Sequence, residues 1–145
     1  MKVIEAGVFV QASSEKVWRV LSDLGKYPEW NPFILMISGE LEEGARLSVK
    51  IGLPEGRPMT FSPVVRVAKP GVELRWLGHL WFPGLFDGEH SFRIDEAGQG
   101  HVHLMQCEHF RGILVPFLPD SFFERTRQGF EEMNRALKER VESSL

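Results

Sequence analysis

Between positions 120 and 141 apolar residues return every three or four positions, the period of an α-helix. At 100° per residue, Phe122, Phe123, Thr126, Phe130, Met133, Leu137 and Val141 share about one quarter of the helical wheel. Glu124, Arg127, Gln128, Glu131, Arg135, Lys138 and Glu139 take the other side. Pro119 stands just before, and Ser121 with Glu124 fits a capping box. The spacing predicts a long amphipathic helix over 120–141, and its Phe-rich stripe needs a surface to cover it. Gly129 lies at the edge of that stripe and costs roughly 1 kcal/mol against Ala there, which predicts close approach of another element or a kink that opens space.

Upstream the pattern changes. Val3 to Ala12 reads as a strand with Ile4, Ala6, Val8 and Val10 on one face. Ser13 or Ser14 caps a short helix, 15–24, with Val17, Val20, Leu21 and Leu24 as its apolar face, and Gly25 is placed to end it in a left-handed conformation. Tyr27-Pro28-Glu29-Trp30-Asn31-Pro32 makes a second short turn between two prolines. From Phe33 on the period is two. Strands are predicted at 33–38, at Leu47-Val49-Ile51, at 59–67 (weakened by Pro63), at 72–81, at 88–95 and at 101–111. Six consecutive strands with short turns form an antiparallel meander, and its apolar face and the C-terminal helix answer each other's need for cover. The fold class expected is α+β, in two layers.

Alternate turns of a meander lie at alternate ends. One set, 39–44, 69–71 and 95–100, is polar or tight. The other comprises 53–58, 82–86, the exit 112–119 and, by the same logic, 27–32. It carries Trp30, Leu53, Trp81, Phe82, Leu85, Phe86, Leu114 and Phe117. Loops are ordinarily polar, so an apolar rim at one end points to the mouth of a ligand cavity, or else to loops folded over the core or a dimer contact.

Composition narrows the partners. The chain has 145 residues with a net charge of −3 and no dense Lys/Arg cluster, which excludes nucleic acid as the main partner because phosphate binding needs concentrated positive charge. Cys107 is the single cysteine, so no intrachain disulfide forms. An early acid, Glu5, interrupts any signal-like start, and no apolar run reaches transmembrane length. The expectation is a cytoplasmic protein that is monomer or homodimer, with no cofactor.

Alternation then selects the candidate chemistry. If Pro70-Gly71 is a two-residue turn, Val65 lies opposite Trp76 and Pro63 opposite Gly78. The next two turns put Trp76 opposite Phe92, Gly78 opposite His90, and His90 near Gln106 with Glu108 one step beyond. Leu74, Ile94, Val102 and Leu104 fall toward the polar turns; His90, Gln106, Glu108 and Phe110 fall toward the apolar rim. Gly78 leaves space beside His90. A Glu in an apolar pocket has a raised pKa and a neighbouring His can share its proton, which suits ligand positioning, a plain structural network or general acid–base catalysis. Phe122, Phe123, Thr126 and Phe130 of the helix face the same polar group and complete the expected wall. His79, His101, His103 and His109 fall on the outer parity, and no metal-ligand pattern is present.

These residues carry a family resemblance. Ala12-Ser13-Ser14-Glu15-Lys16-Val17-Trp18-Arg19-Val20-Leu21-Ser22-Asp23 followed by Tyr27-Pro28-Glu29-Trp30-Asn31-Pro32 resembles the N-terminal signature of the START/birch-pollen-allergen-like (SRPBCC) superfamily. The stretches 85–92 and 106–112 are similar to its polyketide cyclase/dehydrase-like branch. The resemblance implies a single helix-grip domain over 1–145, with a seven-stranded sheet curved around the C-terminal helix and a cavity between them. It implies binding of a hydrophobic small molecule such as a lipid, sterol or polyketide. A cyclase or dehydratase using Glu108 and His90, or an interaction module docking through the rim, are the alternatives.

Overall fold

The structure, a computed structural model, describes residues 1–53, 56–80 and 82–143, so Trp81 of the expected rim lies outside the described residues. Strand β1 (Lys2–Val10) leads into helix α1 (Ser14–Ser22), a 3-10 turn (Leu24–Lys26) and helix α2 (Tyr27–Trp30). Strands β2 (Ile34–Ser38), β3 (Ser48–Ile51), β4 (Met59–Phe61), β5 (Val64–Lys69), β6 (Glu73–His79), β7 (Asp87–Glu96) and β8 (Val102–Arg111) follow. A 3-10 turn (Val115–Phe117) and the long helix α3 (Asp120–Ser143) end the chain. None of the described helices is long and apolar enough to cross a membrane.

The architecture is the expected α+β grip, with one change in strand count. The stretch predicted as one strand over 59–67 is two, β4 and β5, because Ser62-Pro63 interrupts the ladder and proline has no N–H to give it. Formally this yields sheets ordered β1-β8-β7-β6-β5 and β2-β3-β4. They remain joined: Arg46 bridges Val64, Leu47 N donates to Pro63 O at 2.8 Å, and Val65 N donates to Ala45 O at 2.8 Å. The break is a bend in one curved surface.

α1 begins on Ser13, whose hydroxyl accepts from Lys16 N at 3.2 Å, as the cap expected there. It ends at Ser22 rather than Leu24, and Gly25 sits inside the following 3-10 turn without a positive φ, so it is not the left-handed cap its position suggested. Tyr27 is fully buried, and its hydroxyl donates to Leu21 O at 2.6 Å, tying α2 to α1. Helix α3 starts at Asp120, which places Ser121 inside the first turn instead of at the cap.

α3 packs chiefly along β1, and three of its side chains one turn apart bond to that strand or its end. Asn134 Nδ2 donates to Ala6 O at 3.0 Å, Lys138 Nζ to Phe9 O at 2.9 Å, and Glu142 accepts from Gln11 N at 2.8 Å. The inner-face residues Leu74, Ile94, Val102 and Leu104 are buried with Met133, Leu137 and Val141 in one core. Gly129 is there for close approach: a Cβ at that position would overlap the Phe33 ring.

Candidate functional site

The rim end of the grip does not close. Between the inner face of β6–β8, the strands β3 and β4 and the first half of α3 lies a cavity of about 220 Å³. Val49, Ile51, Met59 and Phe61 form one wall; Trp76, Gly78, Gly88 and Phe110 form another. Phe122 and Thr126 close the helix side, and Leu53, Leu80, Phe86, Leu114 and Leu118 ring the mouth. Its polar lining among the described residues is His79, His90, Glu108 and the Thr126 hydroxyl, with neither Lys nor Arg.

Strand pairing sets the floor. His90 lies directly opposite Glu108, Phe92 opposite Gln106, Trp76 opposite His90, and Gly78 opposite Gly88. Each of these registers is two residues from the expected one, because the connecting turns hold a different number of residues. A shift of two keeps every side chain on its face, so the group assembles with different neighbours. The two glycines do different work: a Cβ on Gly88 would overlap Glu108 Oε2, so Gly88 makes room for the carboxyl itself, while the position over Gly78 stays open to the cavity. Val65 does face Trp76, as expected, although by compensation. The loop after β5 is one residue longer than a two-residue turn, pairing Lys69 with Glu73, and a bulge between Val65 and Val67 restores the register.

His90 is enclosed by aromatic rings, with Phe92 stacked at 4.6 Å between centroids, Phe130 at 4.7 Å and Trp76 at 5.3 Å. Its Nε2 lies 3.0 Å from Gln106 Oε1. Gln106 Nε2 in turn donates to Asn134 Oδ1 at 2.7 Å and to Phe130 O at 3.3 Å. The other ring nitrogen, Nδ1, lies 3.6 Å from Glu108 Oε1, too far for a hydrogen bond. Burial pushes the Glu108 carboxyl up to about 8, although 16% of its side chain still opens on the cavity. Burial likewise pushes His90 down to about 4, with the Gln106 bond opposing it. At neutral pH the pair is uncharged, and the cavity floor presents a carboxylic acid that can donate or accept a hydrogen bond. Thr126 donates to Phe122 O at 2.9 Å, which leaves only its lone pairs for the cavity.

The expected site residues therefore divide. Trp76, Gly78, His90, Glu108, Phe110, Phe122 and Thr126 line the cavity, as do Leu53, Phe86 and Leu114 of the expected rim. Phe92, Gln106 and Phe130 do not: they are wholly buried behind His90, one layer deeper. Phe123 turns away from the cavity, packing edge-on to Phe110 at 5.3 Å with Lys2 Nζ above its ring. Trp30 packs edge-on to Tyr27 instead of lining the mouth, on the helix whose Glu29 accepts from Arg140 of α3 at 2.9 Å. Leu85 is buried without reaching the cavity, while Phe82 and Phe117 point outward.

Val49, Ile51, Met59 and Phe61 line the cavity without having been singled out, although their alternation already put them on inner faces. Asn134 was missed altogether. The signal was a polar amide three residues before Leu137 and seven before Val141, inside an otherwise apolar stripe. Among the described residues, no three His, Cys, Asp or Glu side chains converge as a metal site would require.

The family described as "Polyketide cyclase / dehydrase and lipid transport" matches residues 1–142. Among solved structures, the chain is similar to a START superfamily protein from Mycobacterium smegmatis, with 20% identity, a TM-score of 0.78 and 99% of each chain covered. A protein from Thermus thermophilus gives 15% identity, a TM-score of 0.78 and 99% of each chain. The Zhui aromatase/cyclase from Streptomyces sp. R1128 gives 17% identity, a TM-score of 0.75 and coverage of 97% of this chain and 93% of that one. At these identities the likeness is one of fold. No curated protein matches the chain in sequence.

Proposed function

The chain belongs to the polyketide cyclase/dehydrase and lipid transport family, and from that premise we propose that it encloses an apolar small molecule, oriented by Glu108. One observation carries this reading: the Glu108 carboxyl faces an apolar cavity and, among the described residues, has no hydrogen-bond partner, its nearest polar neighbour being His90 Nδ1 at 3.6 Å. A buried polar group without a partner is costly, and a ligand hydroxyl or carbonyl supplies one. Size narrows the class further. A cavity of roughly 150 Å³ takes a single benzene ring, so 220 Å³ suits about two fused rings and is too small for a sterol.

The test is binding of 2-naphthol, followed by native mass spectrometry and thermal shift, to the protein and to Gly78→Ile. A Cβ on Gly78 meets only Pro63 Cβ at 3.6 Å, in ordinary contact, and the rest of the side chain projects into the cavity and takes ligand space. Wild type binds with a raised melting temperature; Gly78→Ile folds and does not bind. A stable dimer that takes up no ligand would replace this reading with docking through the exposed Phe82, Ile113 and Phe117.

A second reading is favoured by the His90–Glu108 arrangement. A carboxylic acid that keeps its proton at neutral pH, next to an imidazole, is equipped to protonate a departing hydroxyl in a cyclisation or dehydration. Here Glu108→Gln abolishes turnover while sparing affinity.

A further inference from the structure

We infer that Asn134 and Gln106 are positioning residues that fix His90 in its Nε2–H form, leaving an unprotonated Nδ1 facing Glu108 so that the carboxyl, not the imidazole, carries the proton at the cavity floor. The inference rests on the reading of Glu108 as the group that serves the cavity.

Donors and acceptors, counted from the backbone outward, fix each group in turn. Asn134 Nδ2 donates to Ala6 O at 3.0 Å, which leaves its Oδ1 as the acceptor directed at the sheet. Gln106 must therefore present its amino group to Asn134, at 2.7 Å, and that group also reaches Phe130 O at 3.3 Å. The Gln106 carbonyl is thereby turned toward His90. A carbonyl oxygen accepts only, so the hydrogen in the 3.0 Å contact belongs to His90 Nε2. A neutral imidazole carries one N–H, and Nδ1 is left bare, 3.6 Å from Glu108 Oε1.

A buried amide network can exist simply to satisfy itself. This one ends at a ring nitrogen without a hydrogen, aimed at the cavity carboxyl. It also places an amide where the stripe of α3 would otherwise hold an apolar residue.

The opposite tautomer would reverse the chemistry. With hydrogen on Nδ1 the imidazole would donate to Glu108 and favour its carboxylate. Among the described residues that line the cavity, no Lys or Arg replaces that influence. His79 on β6 is the other titratable residue lining the cavity among those described; β1 sets Ile4 opposite Glu108; α3 contributes Phe122 and Thr126. Burial already pushes the carboxyl up to about 8, and a bare Nδ1 is the neighbour that leaves it there.

The experiment uses ligand-free protein, so failure of 2-naphthol to bind and failure of this inference are separate results. Nitrogen-15 correlation spectra of the imidazoles report the His90 tautomer, and carbon-13 spectra of the Glu carboxyls report the Glu108 midpoint. In wild type His90 is the Nε2–H form between pH 6 and pH 7 (roughly the range in which a neutral ring is expected). In Gln106→Met the Nδ1–H form becomes populated and the Glu108 midpoint falls by about one pH unit or more. Asn134→Leu, which frees the Gln106 amide to rotate, moves both in the same direction by less. An Nδ1–H tautomer in wild type overturns the inference without any variant having to fold. So does a Glu108 midpoint unmoved in Gln106→Met.

Discussion

Glu108 and His90 are displaced from their ordinary pKa values in opposite directions, and stability should record both. Glu108 moves from 4.5 up to about 8, so between those values the folded state holds a proton the unfolded chain has lost. Stability then falls as pH rises, by about 1.4 kcal/mol per pH unit. His90 moves from 6.5 down to about 4, so between these values the unfolded chain holds the extra proton and stability rises with pH. From pH 4.5 to 6.5 the two slopes cancel. Above 6.5 only Glu108 remains, and we expect a loss of about 2 kcal/mol by pH 8 in urea denaturation. In Glu108→Gln the profile should instead rise to pH 6.5 and then stay flat. A wild-type profile that is level through pH 8 contradicts the buried acid. At this scale parity was readable from sequence and partnership was not. His90, Gln106 and Glu108 share a face because strand side chains alternate. Which of them touch depended on turn lengths that alternation does not report, and Asn134 belongs to an element whose stripe reads as apolar.

At the scale of elements, α3 and Phe33 give the sharpest contact. Gly129→Ala gains helix propensity of roughly 1 kcal/mol, yet the added methyl runs into a Phe33 ring that is itself fixed edge-on to Phe130 at 5.4 Å. Overpacking of this kind costs about 1–3 kcal/mol, and we expect a net destabilisation of about 1 kcal/mol. Gly25→Ala is the control: nothing lies within 4 Å of its would-be Cβ and its φ is not positive, so it should be neutral or slightly stabilising. Denaturant midpoints with unchanged slope would measure both, and a stabilised Gly129→Ala would show that Phe33 moves freely. Periodicity made α3 legible to within two residues at its C-terminal end. It misjudged β4–β5, where Pro63 breaks the ladder rather than weakening it. The inward face of 33–38 escaped it because a bulge between Ile34 and Met36 puts Phe33, Ile34 and Ile37 all inside.

For the whole molecule the grip has a closed end and an open one, and they should differ in local stability. Met133, Leu137 and Val141 are fully packed, while Phe122 and Thr126 border a void. Two loops guard that void, and they are bonded to each other: Ile113 N donates to Gly84 O, and Leu114 N to Leu85 O, each at 3.1 Å. The seam depends on Gly112, whose φ of 127° suits glycine and where a Cβ would overlap Leu85 O. Leu80 and Phe86 from one loop and Leu114 and Leu118 from the other line the same mouth. The two segments should therefore open as a unit, ahead of the core. Hydrogen exchange in free protein should show matching fast rates at 84–86 and 112–118, with slow exchange over 133–141. Saturating 2-naphthol should slow both loops together and leave the helix end unchanged. Gly112→Ala should speed both loops even though only one is altered. Protection of one loop without the other would mean that the two segments do not open as a unit.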